Sequence, residues 1–183
     1  MGLLDKLRAL LHKAPPAALQ PVEPEKIRQP ERRRRPRLDA RKGTRALIID
    51  DSPTIVAVLR KMLGSAGYST LSAMSAERGL QVARKEQPDL IFLDIILPGM
   101  NGFAALRALR REAETRNVPI IMISSNEQVT SQFVGTRIGA DDFMQKPFSR
   151  FDVFSRIERL LDGELVPRRP NFDMTARTSN VLH

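Results

Sequence analysis

Residues 89–102 read DLIFLDIILPGMNG, and the reading of this stretch decides the fold. Leu90, Ile91, Phe92 and Leu93 form a run without polar alternation, the pattern of a strand covered on both faces in a parallel sheet. Asp94 closes the run. In open α/β sheets ligands bind beyond the carboxyl ends of the strands, so an acid at this position is aimed at the place where chemistry occurs. Pro98 and Gly99 then turn the chain, and Asn101 is placed to cap a following helix. A lone Asp at a strand end is commonly a turn residue; the flanking chain decides between the two readings.

Upstream, residues 46–49 are a second apolar run, ending in Asp50 and Asp51, and Ser52-Pro53 supplies a helix cap and a first-turn proline. Ile55, Val58, Leu59, Met62 and Leu63 follow at helical period, closed by Gly64 and Gly67. Residues 68–73 are a weaker strand, and Ser75 caps a helix carrying Leu80, Val82 and Ala83 that stops before Pro88. Downstream, Phe103, Leu106 and Leu109 give the next helix a buried side, with Arg107, Arg110, Arg111 and Glu112 on its solvated side. Residues 118–123 are a fourth strand, ending in Ser124 and Ser125. A helix expected over 126–138 ends at Gly139, and 141–145 make a short fifth strand ending in Lys146-Pro147. Ser149 caps a last helix whose apolar face is Phe151, Phe154, Ile157, Leu160 and Leu161. Five strand and helix alternations between residues 44 and 162 predict an α/β fold, a doubly wound five-stranded parallel sheet with helices on both faces.

The flanks differ. Residues 1–13 place Leu3, Leu4, Leu7, Leu10 and Leu11 on one face of a short amphipathic helix, with its own domain, a partner or a membrane as candidate docking surfaces. Residues 14–43 are rich in proline and charge and read as a disordered linker, and residues 163–183 as a disordered tail. The formal charge of +9 is uneven: residues 1–43 hold 12 Lys+Arg against 5 Asp+Glu, whereas 44–162 hold 15 against 14. The folded segment therefore lacks the electrostatic footprint of a nucleic-acid binder. Zero cysteines exclude disulfides, thiolate metal sites and cysteine nucleophiles, and together with the lack of a secretory signal they favour a cytoplasmic protein.

Asp50, Asp51, Asp94, Ser124 and Lys146 all fall at strand ends on one rim of such a sheet. Strands one and three are neighbours if the order is 2-1-3-4-5, and three converging carboxylates then demand a counter-charge. A divalent cation answers that demand, and all-oxygen ligation on a partly open rim suits Mg2+. A carboxylate beside a cation, a lysine and a hydroxyl is equipment for phosphoryl transfer, with Asp94 as nucleophile and Lys146 and Ser124 meeting the transferring group.

The segments IIDDSPT, FLDIILPGMNG, IIMISS and GADDFMQKPF resemble, in order and interval, the signatures of the bacterial two-component response-regulator receiver domain over residues 44–162. The resemblance implies a flavodoxin-like sheet of order 2-1-3-4-5 and a phosphoprotein whose Asp94 is phosphorylated by a histidine kinase or phosphotransfer protein. It further implies magnesium held by Asp50, Asp51, Asp94 and the backbone carbonyl of Ile96, and Phe143 in the switch aromatic position. Ser124 stands where threonine is commoner, and Phe143 where tyrosine is frequent. PGMNGF and the stretch over residues 124–148 resemble receiver-only regulators of twitching-motility systems, so a role in surface motility or chemotaxis through a downstream protein effector is expected. The alternative is a receiver-fold scaffold in which phosphorylation is incidental.

Overall fold

A computed structural model of the chain describes residues 39–125 and 139–170. The helix expected over residues 1–13, the linker up to residue 38, the helix expected over 126–138 and the tail from residue 171 lie outside the described residues. In chain order the elements are β1 (Arg45–Ile49), α1 (Pro53–Gly64), β2 (Ser69–Ala73), α2 (Ala76–Glu86), β3 (Leu90–Asp94), α3 (Gly102–Arg111), β4 (Ile120–Ser124), β5 (Asp142–Gln145) and α4 (Arg150–Leu160). Each helix starts on the expected cap. Ser52, Ser75, Asn101 and Ser149 each accept a backbone N–H from the first turn, and Ser149 with Asp152 completes a reciprocal capping box. Among the described residues no helix is long and apolar enough to cross a membrane.

All strand pairs are parallel and the order is β2-β1-β3-β4-β5. Side chains alternate across a strand, so each strand feeds two cores. Ala46, Ile48, Leu90, Phe92, Ile121, Ile123 and Met144 pack against α1 and α4 through Val56, Leu59, Leu63, Val153, Phe154 and Ile157. Leu47, Ile49, Ile91, Leu93, Ile120 and Met122 pack on the other face against α2 and α3 through Leu80, Ala83, Ala105, Leu106 and Leu109. A fully buried Leu, Ile or Phe contributes about 1.5–3 kcal/mol, so the three central strands, apolar on both faces, hold the sheet together.

Three sequence expectations need correction. Arg110 does not lie on a solvated helix face. Its side chain is 12% exposed and its guanidinium donates to the carbonyls of Gly139, Arg116 and Val118 and to Asp141 Oδ2 at 2.7 Å. Glu112 pairs with Arg84 of α2. Phe151, expected on the buried face of the last helix, is 60% exposed, and Val153 takes the inward position instead. The domain also reaches beyond the expected 44–162. Ala40 is buried in the α1/α4 core, Arg41 N–H donates to the Leu165 carbonyl at 2.9 Å, and Arg168 N–H donates to that of Leu160. Leu161 and Pro167 form an antiparallel bridge, Val166 is buried, and Arg169 pairs with Asp141 at 3.0 Å. Residues 163–170 are therefore an ordered strap, because backbone partners and an arginine anchor replace the apolar periodicity that the segment lacks.

Asp141 is nearly inaccessible, and its oxygens are shared among Arg110, Arg169 and the Ile120 N–H. Burial pushes Arg110 down to about 10, which leaves it fully charged at neutral pH, and raises Asp141. Removing one partner of a buried pair leaves an uncompensated charge. Arg110→Ala is expected to cost about 3 kcal/mol of unfolding free energy, whereas Arg107→Ala, less than one turn earlier but exposed, changes it by less than about 0.5 kcal/mol. Urea titrations of the two variants check the contrast.

Candidate functional site

The site is built by strand parity. Asp50 follows Ile48 and Asp94 follows Phe92 at even spacing, so both carboxylates continue the face that packs on α1 and α4. Ile49 pairs with Leu93 in the ladder, which places Asp50 and Asp94 side by side at the carboxyl ends of neighbouring strands. Lys146 follows Met144 of β5 on the same face, and its long stem crosses β4 to reach both acids. Nζ lies 3.0 Å from Asp94 Oδ2 and 2.8 Å from Asp50 Oδ2. One ammonium therefore makes a close ion pair with both buried acids. Asp50 Oδ1 accepts the Ser52 N–H at 2.9 Å, tying the acid to the start of α1. Asp51 is exposed, and one oxygen from each of Asp50, Asp51 and Asp94 lies within 4.8 Å of the others.

Three carboxylates at that spacing repel by roughly 3 kcal/mol per ionised pair at an effective dielectric near 20. Burial raises the Asp94 pKa above the ordinary carboxylate value, with Asp50 adding to the rise and Lys146 opposing it. Burial also works against the Lys146 charge, but bonds to Asp50 and Asp94 outweigh it and leave the lysine pKa raised. One lysine thus serves two acids while a third stands open to solvent. Three carboxylates with oxygens within 4.8 Å of one another, served by a single lysine and open on one side, are the donor set that fits Mg2+.

Ser124 ends β4 and is buried, and its carbonyl accepts the Lys146 N–H at 2.7 Å, immediately before the cis Lys146–Pro147 peptide. Ile123 pairs with Met144 and Asp94 pairs with Ile123, so Ser124 stands one residue further along the rim between the acid and the lysine. Phe143 of β5 packs against the α2/α3 core. Ile96, two residues past Asp94, is exposed, and its N–H faces Asp94 Oδ1 at 3.4 Å. The expected site residues are therefore gathered on one rim, with Phe143 on the opposite face of its strand. Sequence reading missed Gly102: a Cβ there would lie 2.1 Å from the Asp94 carbonyl, so the turn after Asp94 closes only on glycine. A glycine just after a helix cap was the available signal.

Comparison with known proteins agrees with this geometry. The family described as the response regulator receiver domain matches residues 46–158. Protein PilH of Pseudomonas aeruginosa is 40% identical over 119 residues, covering 65% of this chain and 98% of PilH. The DNA-binding dual master transcriptional regulator RpaA of Synechocystis is 38% identical over 139 residues, 76% of this chain, and here the chain spans about half of the relative's length, 56%. Among solved structures, chemotaxis protein CheY4 of Vibrio cholerae is 28% identical with a TM-score of 0.60, covering 65% of this chain and 99% of CheY4. The receiver domain of sensor histidine kinase PA1611 from Pseudomonas aeruginosa, solved with a magnesium ion coordinated in its active site cleft, is 28% identical with a TM-score of 0.57, covering 64% and 95% of the two chains.

The raised Asp94 pKa has a stability consequence. A carboxyl whose folded pKa exceeds its unfolded value contributes stability that is present below the unfolded pKa and lost as pH rises through the folded one. Without divalent metal, Asp94→Asn should therefore melt above the parent at pH 7, with a gap that narrows as pH falls through the carboxylate range. Thermal scans across that range, with chelator present, read the gap; a constant difference would contradict the burial of an ionised Asp94.

Proposed function

As the chain belongs to the response regulator receiver domain family, we propose that it is a cytoplasmic phosphorylation switch in which Asp94 accepts a phosphoryl group from the phosphohistidine of a histidine kinase or phosphotransfer protein. Receiver domains are signalling proteins that bind Mg2+ at an acidic pocket and act through kinases and downstream effectors. The observation that carries the proposal is a buried carboxylate at the end of β3 held 3.0 Å from Lys146 Nζ, with Asp50 and Asp51 alongside.

In the transfer, an Asp94 oxygen forms a bond to phosphorus as the phosphorus–nitrogen bond of the donor breaks, and the bonding pair leaves with the imidazole nitrogen. The attacking acid must be ionised, although its surroundings raise its pKa. Magnesium held by Asp50, Asp51, Asp94 and the Ile96 carbonyl would favour that anion and neutralise the phosphoryl oxygens. Lys146 exchanges its bond to Asp94 for one to the incoming phosphoryl group, keeping a cation beside it throughout. Ser124 donates its hydroxyl to a phosphoryl oxygen and shifts toward it, and Phe143, on the next strand, repacks as β4 moves. The changed surface then lies on β5 and α4 and meets a protein effector.

Signalling by protein contact rather than by DNA is supported by the nearly balanced charge of residues 44–162, 15 Lys+Arg against 14 Asp+Glu. A place in surface motility or chemotaxis is supported by the likeness of residues 124–148 to twitching-motility regulators and by the similarity to CheY4.

Incubation with acetyl phosphate and magnesium should add one phosphoryl group by mass spectrometry, and Asp94→Asn or chelation should abolish it. An unchanged phosphorylated population in that variant would refute Asp94 as acceptor. Ser124→Ala should still accept the group but lose most of the beryllofluoride-induced shift of the Phe143 amide resonance. A full shift in that variant would remove Ser124 from the coupling.

A further inference from the structure

The turn between β3 and α3 is closed from within and braced from outside. Internally, Gly102 N–H donates to the Ile95 carbonyl at 3.0 Å, and Gly102 packs directly on the Asp94 carbonyl. The external brace is Glu77, in the first turn of α2, whose Oε1 accepts the Met100 N–H at 3.0 Å across 23 residues of sequence. Gly99, at the tip of the turn, has φ +73°, and a Cβ there would stand 3.1 Å from the same oxygen. Glycine is thus required twice over, for its backbone conformation and for the room the carboxylate occupies.

The brace is anchored beside the acidic site. Asp50 N–H donates to the Ala73 carbonyl at 3.1 Å, and Ala73 precedes the Ser75 cap of α2 by two residues. Glu77 therefore stands on a segment tied to Asp50 and holds a segment that carries Ile96. Its carboxyl lies below the ordinary range through its own backbone N–H, the Met100 N–H and the Ser75 hydroxyl, so the bond to Met100 is charge-assisted at neutral pH.

We propose that Glu77 is a positioning residue for the metal and phosphoryl site, fixing the turn after Asp94 so that the Ile96 carbonyl is set against Asp50, Asp51 and Asp94 before a cation arrives. The inference rests on the phosphorylation-switch reading and deepens it by adding a residue that touches neither metal nor phosphoryl group. An exposed hydrogen bond contributes little to stability, whereas partners that orient ligands typically change metal affinity 10- to 100-fold. Metal affinity is accordingly the property on which Glu77 acts.

The test uses the full chain and three proteins, the parent, Glu77→Ala and Glu77→Gln, with Mg2+ titrated while the amide resonances of Asp94 and Ile96 are followed by NMR. Glu77→Ala is expected to bind about tenfold more weakly, and Glu77→Gln, which keeps an acceptor oxygen for the Met100 N–H, to recover most of the loss. In acetyl phosphate reactions the half-saturating Mg2+ concentration should rise by the same factor in Glu77→Ala, while the rate at saturating Mg2+ matches the parent. Unchanged Mg2+ affinity in Glu77→Ala would overturn the proposal, as would equal weakening by Gln and Ala, or a rate that stays low at saturating metal. If the parent itself bound no Mg2+, the switch reading would fall and this inference with it; a parent that binds beside an unaffected Glu77→Ala sinks the inference alone.

Discussion

The Lys146 ammonium, placed between Asp50 and Asp94, is the interaction on which the upper rim of the sheet depends. The fold brings two buried acids to adjacent strand ends and a third to their open side, an arrangement that a protein interior does not tolerate without a cation. The parallel sheet makes this meeting unavoidable, because parity and register put residues 50 and 94 on the same face of neighbouring strands. The lysine offsets the cost of burying these charges incompletely, because burial first and Asp50 second still raise the Asp94 pKa against its pull. That incompleteness is the chemical opening for a divalent ion and a phosphoryl group.

A second group of buried charges sits at the opposite edge, and its contrast with the first is informative. Asp141 precedes β5 and is gripped by Arg110, Arg169 and the Ile120 N–H, with every oxygen engaged. Guanidinium forks fix a planar, multiply bonded geometry, whereas an ammonium on a four-carbon stem is a point charge that changes partners easily. The amino edge is therefore locked by arginines, and the carboxyl edge is served by a lysine that can exchange one oxygen for another.

Much of this was legible in the residues themselves. Apolar runs without alternation marked β1, β3 and β4, cap residues marked the helix starts, and acids closing two of those runs marked the site. The edge strand β2 was faint because one of its flanks meets solvent and its residues include Ser69, Thr70 and Ser72. What escaped reading depends on partners distant in sequence. Arg110 looks like any helix-surface arginine until the turns near Val118 and Gly139 fold over it. The strap over residues 163–170 has no period because its order comes from Arg41, Leu160 and Asp141. Glu77 is an ordinary first-turn acid in the sequence, and only the path of the chain through Gly99 and Met100 gives it a second task. Phe151 erred the other way, since helical phase near a cap places it outward while Val153 fills the core.

The hydrogen bond from Arg41 to Leu165 places the entry and the exit of the folded segment against each other, at the edge of the sheet away from the carboxylates. In modular terms the domain is a cassette with both leads on one side. Such a unit can be spliced into a surface loop of another protein, or its ends joined and reopened elsewhere, without stretching the sheet. The acidic rim would face outward in either arrangement, leaving its approach to a docking protein sterically clear.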